Sequence, residues 1–258
     1  MSGMPAVFIG HGSPMNAVER NPYTKAWRKL GAAIPKARAV VSISAHWYVS
    51  GTAVTAMTAP RTIHDFRGFP KELFDVRYPA PGDPALARRM RDLLSPIAVG
   101  LDESWGLDHG TWSVLAHLIP SADVPVVQLS LDATQRAGWH YELGKRLAPL
   151  REEGVLVLGS GNVVHNLGAV DWSPAAKPYD WAIEFDKRVR DCVLRSDHGP
   201  LLDYEESGRA GALSVPTPDH YLPLLYVLAQ QREDESASIP VDGIELGSIS
   251  MMSVVVGD

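Results

Sequence analysis

Nine histidines and one cysteine, Cys192, stand in this chain of 258 residues, so imidazole is the side chain with the most chemistry to offer. Neutral imidazole is the commonest metal ligand, and it exchanges a proton near neutral pH. Four histidines, His11, His46, His165 and His220, sit where an apolar run gives way to a loop or where a helix begins. Any one of them alone reads more simply as a satisfied polar residue at a loop edge. His11, His46 and His165 each follow a strand-like apolar run, and a parallel sheet would bring all three to one edge. The set then points to a metal centre, with no thiolates to compete for the ion.

The other histidines divide by context. His109 lies between Asp108 and Gly110 in a turn-rich stretch, placed to orient a substrate or transfer a proton. His64 falls in a long loop, where a pocket wall and an ordinary surface position are equally good readings. His117 and His140 lie in helical runs and read as core or partly exposed residues. His198, in Asp197-His198-Gly199, reads as a helix-terminus residue. Other catalytic templates fit poorly. There is no Gly-x-Ser-x-Gly elbow, no phosphate loop, no full dinucleotide fingerprint and no His-Glu-x-x-His helix. A nucleophilic Ser13 beside His11 has no further support.

The elements that must position these residues alternate. Pro5 to Gly10 reads as a buried strand, followed by Gly10-His11-Gly12, whose glycines let backbone approach a ligand closely. Asn21-Pro22 reads as an N-cap and first helical residue, with Trp27, Leu30 and Ile34 as the apolar stripe. Ala39 to Ser44 is a second buried strand running into His46. Residues 52–58 form a further strand, and Ala59 to Asp83 is a loop long enough to be a functional cover. A helix follows Asp83-Pro84, and a short helix follows His109. Val124 to Leu131 is a strand, residues 134–150 are helical, and Gly154 to Gly159 is a strand leading to His165. Tyr179 to Arg195 is a helix. Thr217-Pro218 opens another that runs to Leu228, Gln230 to Ser238 is a solvated loop, and Gly247 to Val256 is a last strand.

This alternation predicts an α/β fold, a single domain over residues 1–258 with a mostly parallel central sheet and helices on both faces. The site is then expected at the carboxyl edge of the strands. A net charge of −6 with scattered Lys and Arg argues against nucleic-acid and membrane-surface partners. No apolar run approaches the ~18 residues of a spanning helix. The N-terminus lacks the basic region of a signal peptide, and the lone cysteine fits a cytoplasmic location.

Several stretches together resemble the class III extradiol ring-cleaving dioxygenases, in particular the 4,5-DOPA extradiol branch. They are Gly10-His11-Gly12-Ser13-Pro14, Ser44-Ala45-His46-Trp47, Ile63-His64-Asp65-Phe66, Tyr78-Pro79-Ala80-Pro81-Gly82, Leu107-Asp108-His109-Gly110, Gly159-Ser160-Gly161 with His165-Asn166, and Asp219-His220-Tyr221. Each is weak alone, and the ordered set is specific. The resemblance implies one divalent metal per chain, with His11 and His46 as ligands. The wider class has a glutamate as third ligand, and the matching position here is His220, with Asp219 a poorer substitute. Two histidines and a carboxylate suit Fe(II), whereas an all-histidine set also suits zinc. His165 matches the acid/base histidine and is counted as a fourth ligand. His109 matches a histidine near substrate and dioxygen.

The chemistry implied is cleavage of a DOPA-like catechol by dioxygen to a ring-opened semialdehyde that keeps both oxygen atoms. The Ala59–Asp83 loop is then a lid or side wall, and Trp47, Tyr48 and Tyr221 are candidate aromatic walls. Two rivals remain at this stage: a zinc-dependent hydrolase on the same site, and a non-catalytic relative of the same fold.

Overall fold

The computed structural model describes residues 3–173 and 175–257. The strands are β1 (Ala6–Gly10), β2 (Ala39–Val49), β3 (Thr52–Thr55), β4 (Val99–Asp102), β5 (Val126–Asp132), β6 (Val155–Gly161), β7 (Ala237–Val241), β8 (Ile244–Glu245), β9 (Ile249–Ser250) and β10 (Ser253–Val256). The helices are α1 (Pro22–Ala33), α2 (Lys71–Asp75), α3 (Pro84–Leu94), α4 (His109–Leu118), α5 (Ala137–Arg146), α6 (Pro149–Glu152), α7 (Asp180–Leu194), α8 (Gly199–Leu202), α9 (Gly208–Ser214) and α10 (Leu222–Leu228).

One eight-stranded sheet runs in the order β4-β3-β5-β2-β6-β1-β10-β7. Its centre, β5-β2-β6-β1, is parallel throughout. The C-terminal β10 returns antiparallel beside β1, and β3 meets β5 antiparallel. The fold is therefore α/β with a mostly parallel sheet, as the alternation predicts. Side chains of successive strand residues point to opposite faces, and here both faces are covered. Ala6 and Phe8 of β1, Val41 and Ile43 of β2 and Val155 and Val157 of β6 pack under α5, α7 and α10. Val7 and Ile9, Val40, and Leu156 and Leu158 pack against α1 and α4 through Trp27, Trp112 and Leu115.

Local sequence explains most element ends. Asn21 caps α1 in a reciprocal capping box with Thr24, and Pro22 follows. Asp83 caps α3, and Asp108 caps α4. Four expectations are corrected. Residues 134–150 form two helices, because Leu147 and Ala148 break the run between α5 and α6. Thr217 to Tyr221 is a turn, with Tyr221 N–H donating to Pro218 C=O, and the helix starts at Leu222. Part of Gln230 to Ser238 belongs to an edge strand, β7, which β10 holds by backbone pairing. The tail is two strands, β9 and β10. The Ala59–Asp83 loop contains one short helix, α2.

Candidate metal centre

The polar residues of the buried strands face one helix end. In β2 the alternate positions Val40, Ser42, Ser44 and His46 point toward α4. Ser42 Oγ lies 2.8 Å from Thr111 Oγ1, and Ser44 Oγ donates to Asp108 Oδ1 at 2.7 Å. The buried Asp108 carboxylate also caps the Thr111 N–H at 3.1 Å and accepts from the Gln128 amide. Burial, with Asp65 nearby, raises the Asp108 carboxyl. Gly110 then lies so close that a Cβ there would stand 2.5 Å from Ser44 Oγ and 2.8 Å from His46 Cδ2. The first turn of α4 is thus fitted onto the end of β2.

Five imidazoles converge above these strand ends. His11 follows β1, His46 lies in the C-terminal part of β2, His109 opens α4, His165 follows β6 and His220 precedes α10. His46 Nε2 and His11 Nε2 are 3.3 Å apart. Single ring nitrogens of His11, His46 and His109 all lie within 4.8 Å of one another. The His46 and His109 rings are 3.8 Å apart between centroids. His220 stands 5.3 Å from His11 and 5.1 Å from His46, and it stacks on His165 at 3.5 Å with 5° between planes.

The His11 and His220 rings are held from behind by hydrogen bonds, and Asp65 lies behind His46 and His109. Ser160 Oγ donates to Gly110 C=O at 2.6 Å, so at 3.0 Å it accepts from His11 Nδ1–H and leaves the His11 Nε2 lone pair free. Asp219 Oδ2 holds His220 Nδ1 at 2.5 Å. Asp65 accepts the His109 backbone N–H at 2.9 Å through Oδ1. Its Oδ2 lies 2.9 Å from His109 Nδ1, off the N–H direction, and 3.6 Å from His46 Nδ1. His11 and His220 thus have the pattern of metal-binding histidines, one nitrogen free and the other engaged by an oxygen.

The electrostatics agree with a cation site. Burial and then the neighbouring rings push His11 and His46 well below the ordinary imidazole range, so both are neutral. Burial, then His220, brings His165 down to about 3. Burial opposes ionisation of Asp219, but its contact with His220 outweighs that and the carboxyl falls to about 2. Burial likewise opposes ionisation of Asp65, and the contacts with His109 overcome it. The two Nε2 atoms, 3.3 Å apart, can share one N–H···N bond or, with both lone pairs free, one cation. Metal–nitrogen bonds of ~2.1 Å put neighbouring ligand nitrogens roughly 3.0–3.4 Å apart. The donor set fits a divalent metal.

The cavity over these rings has a volume of about 360 Å³. Its walls are Pro14, Phe66, Phe69, Leu167, Val170, Trp172, Leu246 and Ile249, with Glu245 the one carboxylate among its described lining residues. Phe66 and Phe69 come from the long loop, as expected of a side wall. The aromatic walls expected from Trp47, Tyr48 and Tyr221 lie elsewhere. Trp47 is buried in a stack on Trp105, 5.6 Å between centroids. Tyr221 is buried with its hydroxyl on Leu201 C=O. Tyr48 faces a separate cleft beside Arg136 and Tyr204. The glycines flanking His11 also serve the chain itself, since a Cβ at Gly10 would meet the backbone of Met251 at 2.7 Å, and Gly12, which lines the cavity, has φ +59 beside the Met251 side chain.

Of the remaining histidines, His64 sits behind the wall on Val76 C=O, and His117 and His140 are buried away from the cavity. His198 pairs with the Tyr141 hydroxyl near the start of α8.

The sequence matches the family described as the catalytic LigB subunit of aromatic ring-opening dioxygenase over residues 4–256. This chain belongs to that family. It is an oxidoreductase of the extradiol ring-cleaving type, in a metal-dependent family. A 4,5-DOPA dioxygenase extradiol of Escherichia coli (strain K12) is 53% identical over 258 residues, 98% of this chain and 95% of the relative. A protein of the same description from Beta vulgaris is 37% identical, over 90% of this chain and 88% of its own length. The crystal structure of an uncharacterized protein from Escherichia coli K12 superposes with a TM-score of 0.86 at 49% identity, covering 98% of this chain and 99% of that one. No helix among the described residues is long and apolar enough to cross a membrane.

Proposed function

We propose that this chain opens the ring of a DOPA-like catechol with dioxygen, giving a ring-opened semialdehyde that retains both oxygen atoms, with residues 1–258 acting as one catalytic domain. The observation that carries this reading is the meeting of five imidazoles in a cavity whose other walls are largely apolar and aromatic. His11, His46 and His220 hold one divalent metal, Fe(II) for turnover or zinc as bound, with His165 in reach as a fourth ligand. When bound, the metal supplies the electron path between catechol and dioxygen.

The chain's own residues do the rest. Ser160 and Asp219 fix the His11 and His220 rings with a free nitrogen facing the ion. His165, an imidazole lining the cavity, takes a proton from a catechol hydroxyl and returns it to the opening ring. His109, steered by Asp65, orients the bound hydroxyl and dioxygen. Phe66 and Phe69 close on the ring face and exclude water.

Anaerobic reconstitution with Fe(II), followed by oxygen-electrode assays over a panel of catechols, tests the proposal. Oxygen uptake with a yellow product supports it. His165→Ala is expected to abolish cleavage while keeping metal, and His46→Ala to lose the metal. Normal turnover by both variants overturns the mechanism, and zinc-dependent hydrolysis without oxygen uptake would make the site a hydrolase. The 4.8 Å convergence of His11, His46 and His109 favours a second assignment, with His109 as third ligand. Metal content separates the two: His220→Ala loses the ion on the first, His109→Ala on the second.

A further inference from the structure

Glu245 is the one feature of the cavity that catechol cleavage leaves unused. It lies in β8, paired with Ile249 of β9, and Ile249 in turn bridges to His165. Residues paired across strands share a face, so His165, Ile249 and Glu245 all turn to the cavity, which they line. Two antiparallel pairings of about 5 Å each put the Glu245 backbone about 10 Å from that of His165. That span suits a catechol whose charged group stands a few bonds beyond the ring. Trp172, 79% exposed at the mouth, Phe66 and Phe69 offer ring faces along the way. No Lys or Arg is among the described lining residues.

The surroundings of Glu245 make it a receptor for positive charge. Burial and then Glu19 both raise its carboxyl, and no cation offsets them. An ammonium arriving there would relieve both effects and gain a cation–π contact, whereas a carboxylate would meet like charge with no cation to receive it. We propose that Glu245 selects catechols bearing an ammonium on a short arm and disfavours those bearing only a carboxylate. The site reads the amino group of an amino-acid catechol and gains nothing from its carboxyl. This rests on the ring-cleavage reading above.

The test compares 4-(2-aminoethyl)catechol with 3-(3,4-dihydroxyphenyl)propanoate on the Fe(II)-loaded enzyme, each kcat/KM divided by that of neutral 4-ethylcatechol. The amine is expected to lead the acid by about tenfold or more, the scale of a charge-assisted contact. Glu245→Gln should bring the ratio near one, and Glu245→Lys should invert it. A wild-type ratio near one, or a ratio that neither substitution moves, overturns the proposal. Calorimetric binding of the matching monophenols, the 4-hydroxyphenyl amine and acid, gives an arm independent of turnover. If no catechol is opened yet the amine binds in a Glu245-dependent way, ring cleavage fails and the charge selection stands. If catechols are opened and binding ignores Glu245, the reverse holds.

Discussion

Ser160 Oγ accepts from His11 Nδ1 at 3.0 Å while giving its own hydrogen to the Gly110 carbonyl at 2.6 Å. One hydroxyl therefore fixes a ring tautomer and ties β6 to the start of α4. Ser160→Ala removes that anchor with little change in volume. Metal affinity is expected to fall ~10–100-fold, the usual cost of losing a partner behind a ligand, with the fold intact. Competition against a calibrated chelator measures it; unchanged affinity would mean that the ring is held by packing alone.

Asp65 stands behind two rings at once, with Oδ2 2.9 Å from His109 Nδ1, off its N–H direction, and 3.6 Å from His46 Nδ1. An amide at this position would present one donor and one acceptor where the rings need an anion. Asp65→Asn is expected to lower kcat/KM for oxygen-dependent ring opening by ~10–100-fold. Circular dichroism should stay unchanged. Parallel measurement of bound metal shows whether the loss runs through His46 or through His109. Wild-type kcat/KM in the variant would dismiss the role given to Asp65.

Gly110 is the packing counterpart of these polar contacts. A Cβ there would approach Ser44 Oγ to 2.5 Å and His46 Cδ2 to 2.8 Å. Gly110→Ala is expected to destabilise by ~1–3 kcal/mol through overpacking and to loosen the metal by shifting His46. Gly138→Ala is the control, because a Cβ at that helical glycine meets nothing within 4 Å. It should leave stability unchanged or raise it by ~0.4–1 kcal/mol. Thermal melts of the two variants should move in opposite directions or at least separate clearly.

The sheet edge was legible because buried strands and helix caps leave strong local marks. The apolar runs before His11, His46 and His165 read directly as β1, β2 and β6, and Asn21-Pro22 and Asp83-Pro84 as helix starts. Ser42, Ser44 and Ser160 also carried a signal, a polar residue placed inside an otherwise buried apolar strand, and two of them bond to histidines of the proposed metal centre. Of the cavity wall, only the long loop that brings Phe66 and Phe69 carried one. Phe66, Trp172 and the hairpin of Glu245 and Ile249 come from three separate stretches, and only tertiary packing brings them together. The aromatic residues beside His46 and His220 misled for the same reason. In a strand the residue after a cavity-facing one points to the other face, so Trp47 turns away where His46 turns in. Edge strands β4 and β7 were hidden because their half-exposed residues lack the run of apolar side chains that marks a central strand.

Acid sensitivity follows from a histidine outside the site. His140 is buried in α5, its Nδ1 2.9 Å from the Tyr226 hydroxyl and its Nε2 3.2 Å from Asp132 C=O. Burial lowers it from 6.5 to about 4, against the raising influence of Asp132. Between those two values the unfolded chain holds a proton that the folded chain refuses, so stability rises with pH there. The contribution is complete above about pH 6.5 and is lost as pH falls through about 4. Between pH 7 and pH 5 this one group is expected to cost about 2 kcal/mol. His11, His46 and His165 shift in the same direction, so the total slope is steeper, and the His140 share must be read as a difference. His140→Gln supplies an uncharged donor and acceptor for Asp132 C=O and the Tyr226 hydroxyl. Urea unfolding at pH 7 and pH 5 should show a smaller acid loss in the variant by about 2 kcal/mol. Equal losses in the two proteins would mean that His140 titrates alike in the folded and unfolded chains.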